Sequence, residues 1–520
     1  MNKKTKLLFT TIPAMVIAGL TGCKNNQKNN IFTICYYPGG YGTDWIEEYA
    51  KAAIAEQRGC SVDEVKKGVD YKLISDTNPA RESNLRSKTS CPDLIFANGL
   101  PVSAISSGYV EPLSDVFNTT VQTSKGEKKI GDYLIQDCKE QFCIQRKYGQ
   151  GERLPWAIPF TNIPISIAYN ETLMKKVSHV DSYDCGTCIE NGKWVNPPET
   201  VKQLKSYFAD LTAYNPNLTK FGWCLSECNW FEPLYATWWA QYQGVNTAYT
   251  AHEGVTEEQG GYYDFWKYES PNVYKQAGIA KSFETVRDLL VDFDKHEFIN
   301  SHKYCDSYSV KDMQTEFARG QMAMCLTGDF FEHEYNSILK NQTDVFKLMR
   351  IPAIEEAAPD TNKLTFVNTS SVLFIPSGAK NKDVAKKFLI ESSKETNILK
   401  FLKDTGGIRS FDFDPELLNN YEFSTFQKST LDLYFQRNDL LIKFPRNVAD
   451  KTKINPIYIY EGIGDTLFSV VDYPSLLSAI RDYTNQEIIY DGAPKINGIS
   501  KFKSLVQRAQ EAFNSYFYDW

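Results

Sequence analysis

The chain has 520 residues, of which 42% are hydrophobic and 23% charged, and its formal net charge is -7. A chain of this length exceeds one ordinary hydrophobic core, so two or more lobes are predicted, and the acidic balance excludes the basic footprint of nucleic-acid binding. Aromatic residues make up 14% of the sequence, more than cores alone usually need, so some rings are expected to line a surface or cleft.

The N-terminus has the pattern of an export signal. Three lysines within the first six residues precede an apolar run, and small residues then lead to Cys23 in "LTGC". This segment closely resembles a bacterial lipobox, which predicts a signal peptide over 1–22, lipidation of Cys23, a flexible tether over 23–30 and a lipid-anchored location on the extracellular face of the cell membrane. The alternative is an ordinary secretory signal with a coincidental cysteine.

The next segments alternate between strand and helix patterns. "IFTICYY" from Ile31 predicts a buried strand, which the glycine loop "PGGYG" and a helical pattern follow. "YKLIS" and "PDLIFA" predict two further strands that end in polar turns. This alternation predicts a mainly parallel α/β sheet, in which ligands bind outside the carboxyl ends of the strands.

The residues that follow predict a second lobe. Prolines punctuate an extended crossing segment over 154–176, and Thr200 is placed to cap a helix with an apolar face. "MAMCL" and the segment 368–379 predict further strands, and "DVAKKFLIESS" predicts an amphipathic helix. Residues 413–455 mix aromatic and charged side chains without a clean period and suggest no function.

Six segments carry a family resemblance, and they occur in the family's order. They are "CPDLIFANGLPVSAISSGYVEPLSD", "PISIAYNETLMKK", "PPETVKQL", "FARGQMAMCLTGDFF", "SGAKNKDVAKKFLIESS" and "TGGIRS". Together they resemble the extracellular solute-binding proteins of ATP-driven (ABC) importers, in the maltose-binding-like family that captures sugars and oligosaccharides. The resemblance implies an α/β, two-lobed, periplasmic-binding-protein-like fold, with hinge crossings between the lobes and the ligand cleft between them.

The same resemblance implies the domain division and the partners. The first lobe would comprise 31–160 and 370–405, and the second 165–365 and 410–520. A carbohydrate would bind in the cleft, the lobes would close on it by a hinge motion, and the permease subunits of an ABC transporter would receive it. A monomer is expected, with no cofactor, no metal and no nucleic-acid partner.

One segment is especially rich in the side chains that a sugar needs. A pyranose has an apolar face and a rim of hydroxyls, so its site needs aromatic rings beside carboxylates, amides or guanidinium groups. "WFEPLYATWWAQ", residues 230–241, holds several of each and resembles the "EPY.TW" stretch of the maltose-binding branch. Its candidate ligand contacts are Trp230, Glu232, Trp238 and Trp239. The alternative is a buried aromatic helix, in which about half of these rings belong to the core.

Further candidates lie in the glycine loop and at predicted strand ends. They are Tyr37, Tyr41, Asp76, Asn98 and Arg409. The alternative for the tyrosines is a plain tight turn, and for Asp76 and Asn98 it is an Asx turn. Arg409 lies in "DTGGIRS", where its guanidinium could fork onto hydroxyls or an acidic sugar.

The segment "TGDFF" adds Asp329 and Phe330 to the candidates. Asp329 is predicted to cap a helix that starts at Phe330, with Glu332 completing an arrangement like a capping box. The family usually has a small turn and then Pro-Trp at this place, where the ring packs against the bound sugar. Phe330 is therefore expected to be a weaker platform.

The cysteines leave several states open. Of the 12 cysteines, 11 remain when Cys23 is set aside, so at least one lacks a partner within the chain. Cys185, Cys188, Cys224 and Cys228 could form a four-thiolate zinc site, although the 35 residues between the two pairs exceed the usual spacing. Structural disulfides or free thiols are the alternatives.

Two rival functions use similar side chains. A secreted glycoside hydrolase would need a carboxyl pair, for which Glu232 and Asp329 are the pair to test. The sequence contains no H-E-x-x-H or G-x-S-x-G motif. A surface adhesin lipoprotein is the other rival, but the segment order favours a two-lobed clamp over repeated modules. The resemblance therefore implies a binding protein that captures a sugar, and no catalytic residues are predicted.

Overall fold

The computed structural model of the chain describes residues 31–222 and 309–435 with short gaps, together with parts of 232–298 and 439–442. The strands are β1 (Phe32–Tyr36), β2 (Tyr71–Ser75), β3 (Leu94–Asn98), β4 (Thr120–Thr123), β5 (Gly126–Lys129), β6 (Cys143–Lys147), β7 (Gln150–Pro155), β8 (Ile158–Pro159), β9 (Ile163–Asn170), β10 (Ile189–Glu190), β11 (Lys193–Trp194), β12 (Thr219–Gly222), β13 (Val291–Asp292), β14 (Glu297–Phe298), β15 (Met322–Gly328), β16 (Phe346–Met349), β17 (Leu364–Asn368), β18 (Ser371–Phe374) and β19 (Asp439–Ile442).

Helices lie between most of these strands. They are α1 (Asp44–Arg58), α2 (Glu82–Arg86), α3 (Val102–Ser106), α4 (Ser114–Asn118), α5 (Ile130–Tyr133), α6 (Gln136–Phe142), α7 (Glu171–Met174), α8 (Val201–Tyr214), α9 (Glu232–Gln243), α10 (Tyr262–Phe265), α11 (Val310–Ala318), α12 (Phe331–Glu334), α13 (Asn336–Leu339), α14 (Lys382–Ser392), α15 (Glu395–Thr405) and α16 (Thr425–Phe435). Within the described part of the chain, none of them is both long enough and apolar enough to cross a membrane.

The first sheet has the strand order β2-β1-β3-β18-β8. Its first three strands are parallel, with Phe32 opposite Tyr71 and Ile34 opposite Leu94. β18 pairs antiparallel with both β3 and β8. The predicted mainly parallel sheet is therefore confirmed, because β8 runs in the same direction as β1, β2 and β3 and only β18 of the five strands is reversed. β18 comes from the second sheet, so it enters from the opposite end.

The second sheet has the order β12-β15-β9-β17-β19, with β16 also paired to β9. β12 and β15 are parallel, whereas β9 is antiparallel to β15, β16 and β17. All eight residues of β9 are buried, as expected for a central strand covered on both faces. β19 and α16 fall within the stretch 413–455 and give part of it a place beside the second sheet.

Three crossings join the two sheets. The first lies between β8 and β9, the second between β17 and β18, and the third follows α15. They are tied to each other, because the Asn162 N–H donates to the carbonyl of Ile408 at 2.8 Å and the Phe160 N–H donates to that of Ser371 at 2.7 Å. We call each of the two large sheets with its helices a unit. Several crossings between two such α/β units are the architecture that the sequence predicts, while the lobe boundaries at 160, 165, 370 and 410 remain predictions.

Local signals explain where the helices begin and end. Thr200 accepts from the Gln203 N–H and the Gln203 side chain returns to the cap, so the predicted cap of α8 is confirmed as a capping box. α1 ends at Gly59, whose φ of 66° suits a residue without a Cβ. α1 and α14 pack together on the first sheet.

The segment between α7 and α8 is anchored by a buried carboxylate. Asp210 on α8 lies 2.7 Å from Nδ1 of His179 and accepts a hydrogen bond from the Trp194 indole N–H at 2.7 Å. Its other oxygen accepts from the Val180 N–H at 2.9 Å. Asp210 and Trp194 are fully buried. This carboxylate therefore holds the β10–β11 hairpin against the helix.

Candidate functional site

The carboxyl ends of β1, β2 and β3 bring three predicted site residues to one edge. These strands are parallel, so their carboxyl ends lie at one edge of the sheet. Tyr37 and Asp76 directly follow β1 and β2, and Asn98 is the last residue of β3. The Tyr37 N–H donates to the Phe96 carbonyl at 2.9 Å, and the Asp76 N–H donates to the Tyr36 carbonyl at 3.0 Å. Tyr37 and Asp76 are half-buried and Asn98 is exposed. This edge therefore presents an aromatic ring, a carboxylate and an amide together.

Asp76 is held as a charged group at this edge. It accepts from the Asn78 N–H at 2.9 Å, which is the Asx-turn bond considered from the sequence, and it pairs with Arg81. The Asn78 N–H and the Arg81 guanidinium lower the pKa of Asp76. Asn98 lies beside Ser371, with its Oδ1 3.4 Å from the serine hydroxyl. The Asx turn and a ligand role are compatible, since Asp76 keeps part of its surface exposed.

The carboxyl edges of the two sheets meet through Tyr41 and Asp329. Tyr41 lies in the loop between β1 and α1, and Asp329 follows the last residue of β15. The Tyr41 hydroxyl donates to Oδ1 of Asp329 at 2.5 Å, and the Ile408 N–H donates to Oδ2 at 2.8 Å. Both side chains are buried. One loop of the first sheet, one strand end of the second and the third crossing thus join at a single carboxyl group.

Burial controls the protonation of this group. It raises the pKa of Asp329 to about 7, against the lowering effect of the hydrogen bonds from Tyr41, Ile408 and Phe330. Burial, together with the adjacent Asp329, also raises the pKa of Tyr41 well above its ordinary value. A carboxyl in this position binds a proton near neutral pH, which an exposed aspartate does not do.

Phe330 and a glycine form the second part of this junction. A Cβ placed on Gly40 would lie 2.8 Å from the Phe330 Cβ, so only glycine fits here without movement. The His333 ring nitrogen Nδ1 lies 2.9 Å from the Gly40 carbonyl oxygen. Phe330 is 9% exposed and meets Tyr41 edge to face at 6.3 Å between ring centroids. The glycine loop and the turn after β15 are therefore in close contact.

The predicted helix cap at Asp329 is wrong. Helix α12 begins at Phe331, its N-cap residue is Phe330, and no side chain caps it. The Asp329 carboxylate turns instead to Tyr41 and Ile408, partners that are 288 and 79 residues away in the chain. Glu332 does not accept from a cap N–H as a capping box requires, and its carboxylate accepts from the Ser424 hydroxyl instead.

The aromatic helix α9 carries two of the predicted rings in the protein interior. Trp238 is fully buried and its indole N–H donates to the Pro352 carbonyl at 2.8 Å. Trp239 is 4% exposed and donates to Gln276 at 2.7 Å. These positions match the alternative of a buried aromatic helix for both rings. Trp230 and the side chain of Glu232 lie outside the described residues.

Arg409 is placed inside the third crossing. It is fully buried, its Nε–H donates to the Phe160 carbonyl at 2.7 Å, and its guanidinium carbon lies 3.9 Å from the Phe160 ring centroid. Burial lowers the pKa of Arg409 to about 10. In this arrangement the guanidinium ties the third crossing to the first, and a ligand role for Arg409 stays a prediction.

A cavity of about 540 Å³ adjoins Tyr41 on the side of helices α1 and α15. No sequence pattern predicts this cavity, because its polar residues look like the ordinary solvent faces of two amphipathic helices. Among its lining residues, Lys400 bridges Glu48 and Asp404 at 2.8 and 2.7 Å. His333 lines it from the second sheet. The cavity therefore borders both units next to the Tyr41 contact.

The structure describes only two of the four cysteines in the zinc hypothesis. Cys185 and Cys188 are buried, and burial raises the pKa of the Cys188 thiol to about 11. Cys224 and Cys228 lie outside the described residues, as does Cys23. Across the described residues, no three histidine, cysteine or acidic side chains are grouped to hold a metal ion. The zinc hypothesis, which needs the second cysteine pair, stays a prediction.

Solved structures share this fold at low sequence identity. A solute-binding protein of an ABC transporter from Thermotoga lettingae TMO, bound to alpha-D-tagatose, is 14% identical with a TM-score of 0.56, and the match covers 93% of this chain and 100% of that chain. The solute-binding protein RafE in complex with raffinose is 14% identical with a TM-score of 0.55, covering 93% and 98%. RafE comes from Streptococcus pneumoniae.

A chitin oligosaccharide binding protein is 12% identical with a TM-score of 0.53, covering 91% of this chain and 95% of that chain. Among curated protein sequences, none matches this chain. The family described as bacterial extracellular solute-binding protein matches residues 68–402, which is more than half of the sequence. This match agrees with the two α/β sheets and the three chain crossings that join them. The chain belongs to the family of bacterial extracellular solute-binding proteins.

Proposed function

We propose that this protein captures a carbohydrate outside the cell and delivers it to the permease of an ABC importer, and that a lipid on Cys23 anchors it to the membrane. It acts by binding, without turnover. Family membership supports the capture of a solute. The structures of similar fold include proteins bound to tagatose and to raffinose, which supports a carbohydrate as the solute.

The observation that carries the proposal is the meeting of two carboxyl edges. The loop after β1 contacts the turn after β15 through Tyr41 and Asp329. The carboxyl ends of parallel strands are where α/β sheets bind ligands. Two such edges turned towards each other form a cleft that a ligand can fill from both sides.

The ligand contacts that we propose first are those with accessible polar surface. Tyr37 supplies an aromatic ring for the apolar face of a pyranose, and Asp76 and Asn98 supply an acceptor and an amide for its hydroxyls. Phe330, in the turn after β15, is only 9% exposed and adds a smaller apolar surface to this set. Buried Tyr41, Asp329, Arg409, Trp238 and Trp239 act behind this surface, by fixing the edges on which it is built.

Calorimetric titration with a panel of mono- and oligosaccharides tests the proposal, with release of reducing ends measured in the same samples. We expect saturable binding of at least one carbohydrate and no new reducing ends. Asn98→Ala should weaken that binding about tenfold, because an amide that pairs with a ligand hydroxyl is lost. Asn118→Ala, an exposed asparagine at the end of α4, is the matched control.

Two results would contradict the proposal. Turnover of a bound oligosaccharide would show a glycoside hydrolase, and binding of peptides or polyamines with no response to any carbohydrate would show another solute class.

A further inference from the structure

Tyr41 and Asp329 form a contact between the two units that a ligand role does not explain. Both side chains are buried, and each is bonded to the other unit or to a crossing. We propose that they are positioning residues whose contact, here called the latch, holds the two carboxyl edges together. The latch holds better when the Asp329 carboxyl carries a proton, and the ligand binds more tightly to the latched protein. This inference rests on the proposed capture of a ligand in the cleft.

The geometry of the latch makes it specific to the closed arrangement. The Tyr41 hydroxyl belongs to the first unit and the Asp329 carboxyl to the second, so parting the edges must break the 2.5 Å hydrogen bond between them. It must also separate Phe330 from Gly40, whose backbone is close enough to exclude a Cβ. In the parted arrangement, water can reach the carboxyl from the side that the loop now covers.

Burial of the carboxyl favours its neutral form, and this effect outweighs that of the three hydrogen-bond donors, which by themselves favour the carboxylate. In the described part of the chain, it is held by a hydroxyl and by the backbone N–H groups of Ile408 and Phe330, with no cation among them. A buried carboxylate with no cation beside it is costly, so the group binds a proton more readily than a hydrated aspartate does. The other charged or titratable groups near the latch are His333 and Glu334 on α12, Lys311 on α11, and Glu48, Lys400 and Asp404 at the rim of the adjoining cavity.

The direction of the pH effect follows from linkage. In the latched arrangement the pKa of Asp329 is about 7, whereas a hydrated aspartate has its ordinary value of 3.8. The latched form therefore binds the proton more tightly, so lowering the pH through 7 favours latching and raising it above 7 favours parted edges. With these two values, the ratio of latched to parted protein rises about tenfold from pH 8 to pH 6. Where most of the free protein is parted, ligand affinity rises by the same factor.

The first test measures ligand affinity against pH in the full-length chain. With the carbohydrate found in the panel, we expect the dissociation constant of the wild type to fall about tenfold from pH 8 to pH 6. Asp329→Asn should bind with an affinity that does not change over this range, because the amide stays neutral and still accepts from the Ile408 N–H. His333→Gln should keep the wild-type slope. Tyr335→Phe, which removes a buried hydroxyl bonded only within the second unit, should also keep it.

The second test needs no ligand and separates the latch from the proposed function. Small-angle X-ray scattering of the free wild type should give a smaller radius of gyration at pH 6 than at pH 8, with no such change in Asp329→Asn. If no carbohydrate binds but this change occurs, the proposed function fails and the latch stands. The latch is overturned if the wild type shows no pH dependence in either measurement, if Asp329→Asn keeps the dependence, or if His333→Gln abolishes it.

Discussion

The contact between Gly40 and Phe330 gives a prediction that a single methyl group can test. Gly40→Ala places a Cβ 2.8 Å from the Phe330 Cβ and 2.9 Å from its Cδ2. A Cβ attached to the backbone cannot swing away, so relief requires the loop and the turn after β15 to separate by about 1 Å. Overpacking of this kind typically costs about 1 to 3 kcal/mol.

The cost should appear in ligand binding and not in folding. When the two edges part, the added methyl group no longer meets Phe330, so neither unit is strained by itself. A penalty of about 1 to 3 kcal/mol on the closed arrangement corresponds to a loss of affinity of about 5- to 150-fold. The midpoint of thermal unfolding should stay within about 2 °C of the wild type.

The neighbouring glycine provides a matched control. A Cβ on Gly39 would lie 3.7 Å from Cδ1 of Tyr37, which is ordinary van der Waals contact. Titration calorimetry on Gly39→Ala and Gly40→Ala, with a thermal unfolding curve for each, makes the comparison. Equal affinities for the two variants would refute the reasoning, and so would a large loss of thermal stability in Gly40→Ala alone.

Two further predictions concern stability. Thr200→Ala removes the acceptor of the capping box at α8 and should lower the free energy of unfolding in a urea titration by about 1 kcal/mol; Thr200→Ser should retain most of it, and no difference between the two would contradict the capping role. Asp210→Asn disturbs the buried oxygens that serve His179, Trp194 and Val180, so a loss of about 3 kcal/mol is expected by the same titration. A loss under about 1 kcal/mol would mean that this carboxylate does not anchor the hairpin.

Local patterns were enough to predict the regular elements. β1, α1, β3, β15 and α14 carry apolar spacing that matches one period along the whole element, and the structure has each of them. The capping box at Thr200 was also readable, because both of its partners lie within three residues. The antiparallel direction of β18 relative to β3 could not be predicted from local sequence. It arises because the chain reaches β18 from β17 in the second sheet.

Asp329 shows why the candidate site was harder to predict than the fold. Its sequence neighbours suit a helix cap, and the cap was the locally reasonable interpretation. Its actual partners, Tyr41 and Ile408, come near only when both sheets and the third crossing are assembled. Trp238 and Trp239 were hard to interpret for a different reason. A ring that stacks on a sugar and a ring that fills a core look the same in a sequence.

The order of strands in the first sheet has a consequence for how the chain folds. β3 ends at Asn98, but its partner β18 begins at Ser371, 273 residues later. Pairings this distant in the chain must close a long loop before they return any stability, which makes folding slow. A chain that stops before Ser371 would leave the edge of β3 unpaired, and such an edge readily adds strands from other chains. Truncated or stalled chains of this protein are therefore expected to aggregate through β3. The first unit is complete only when β18, which follows most of the second unit in the chain, has been made.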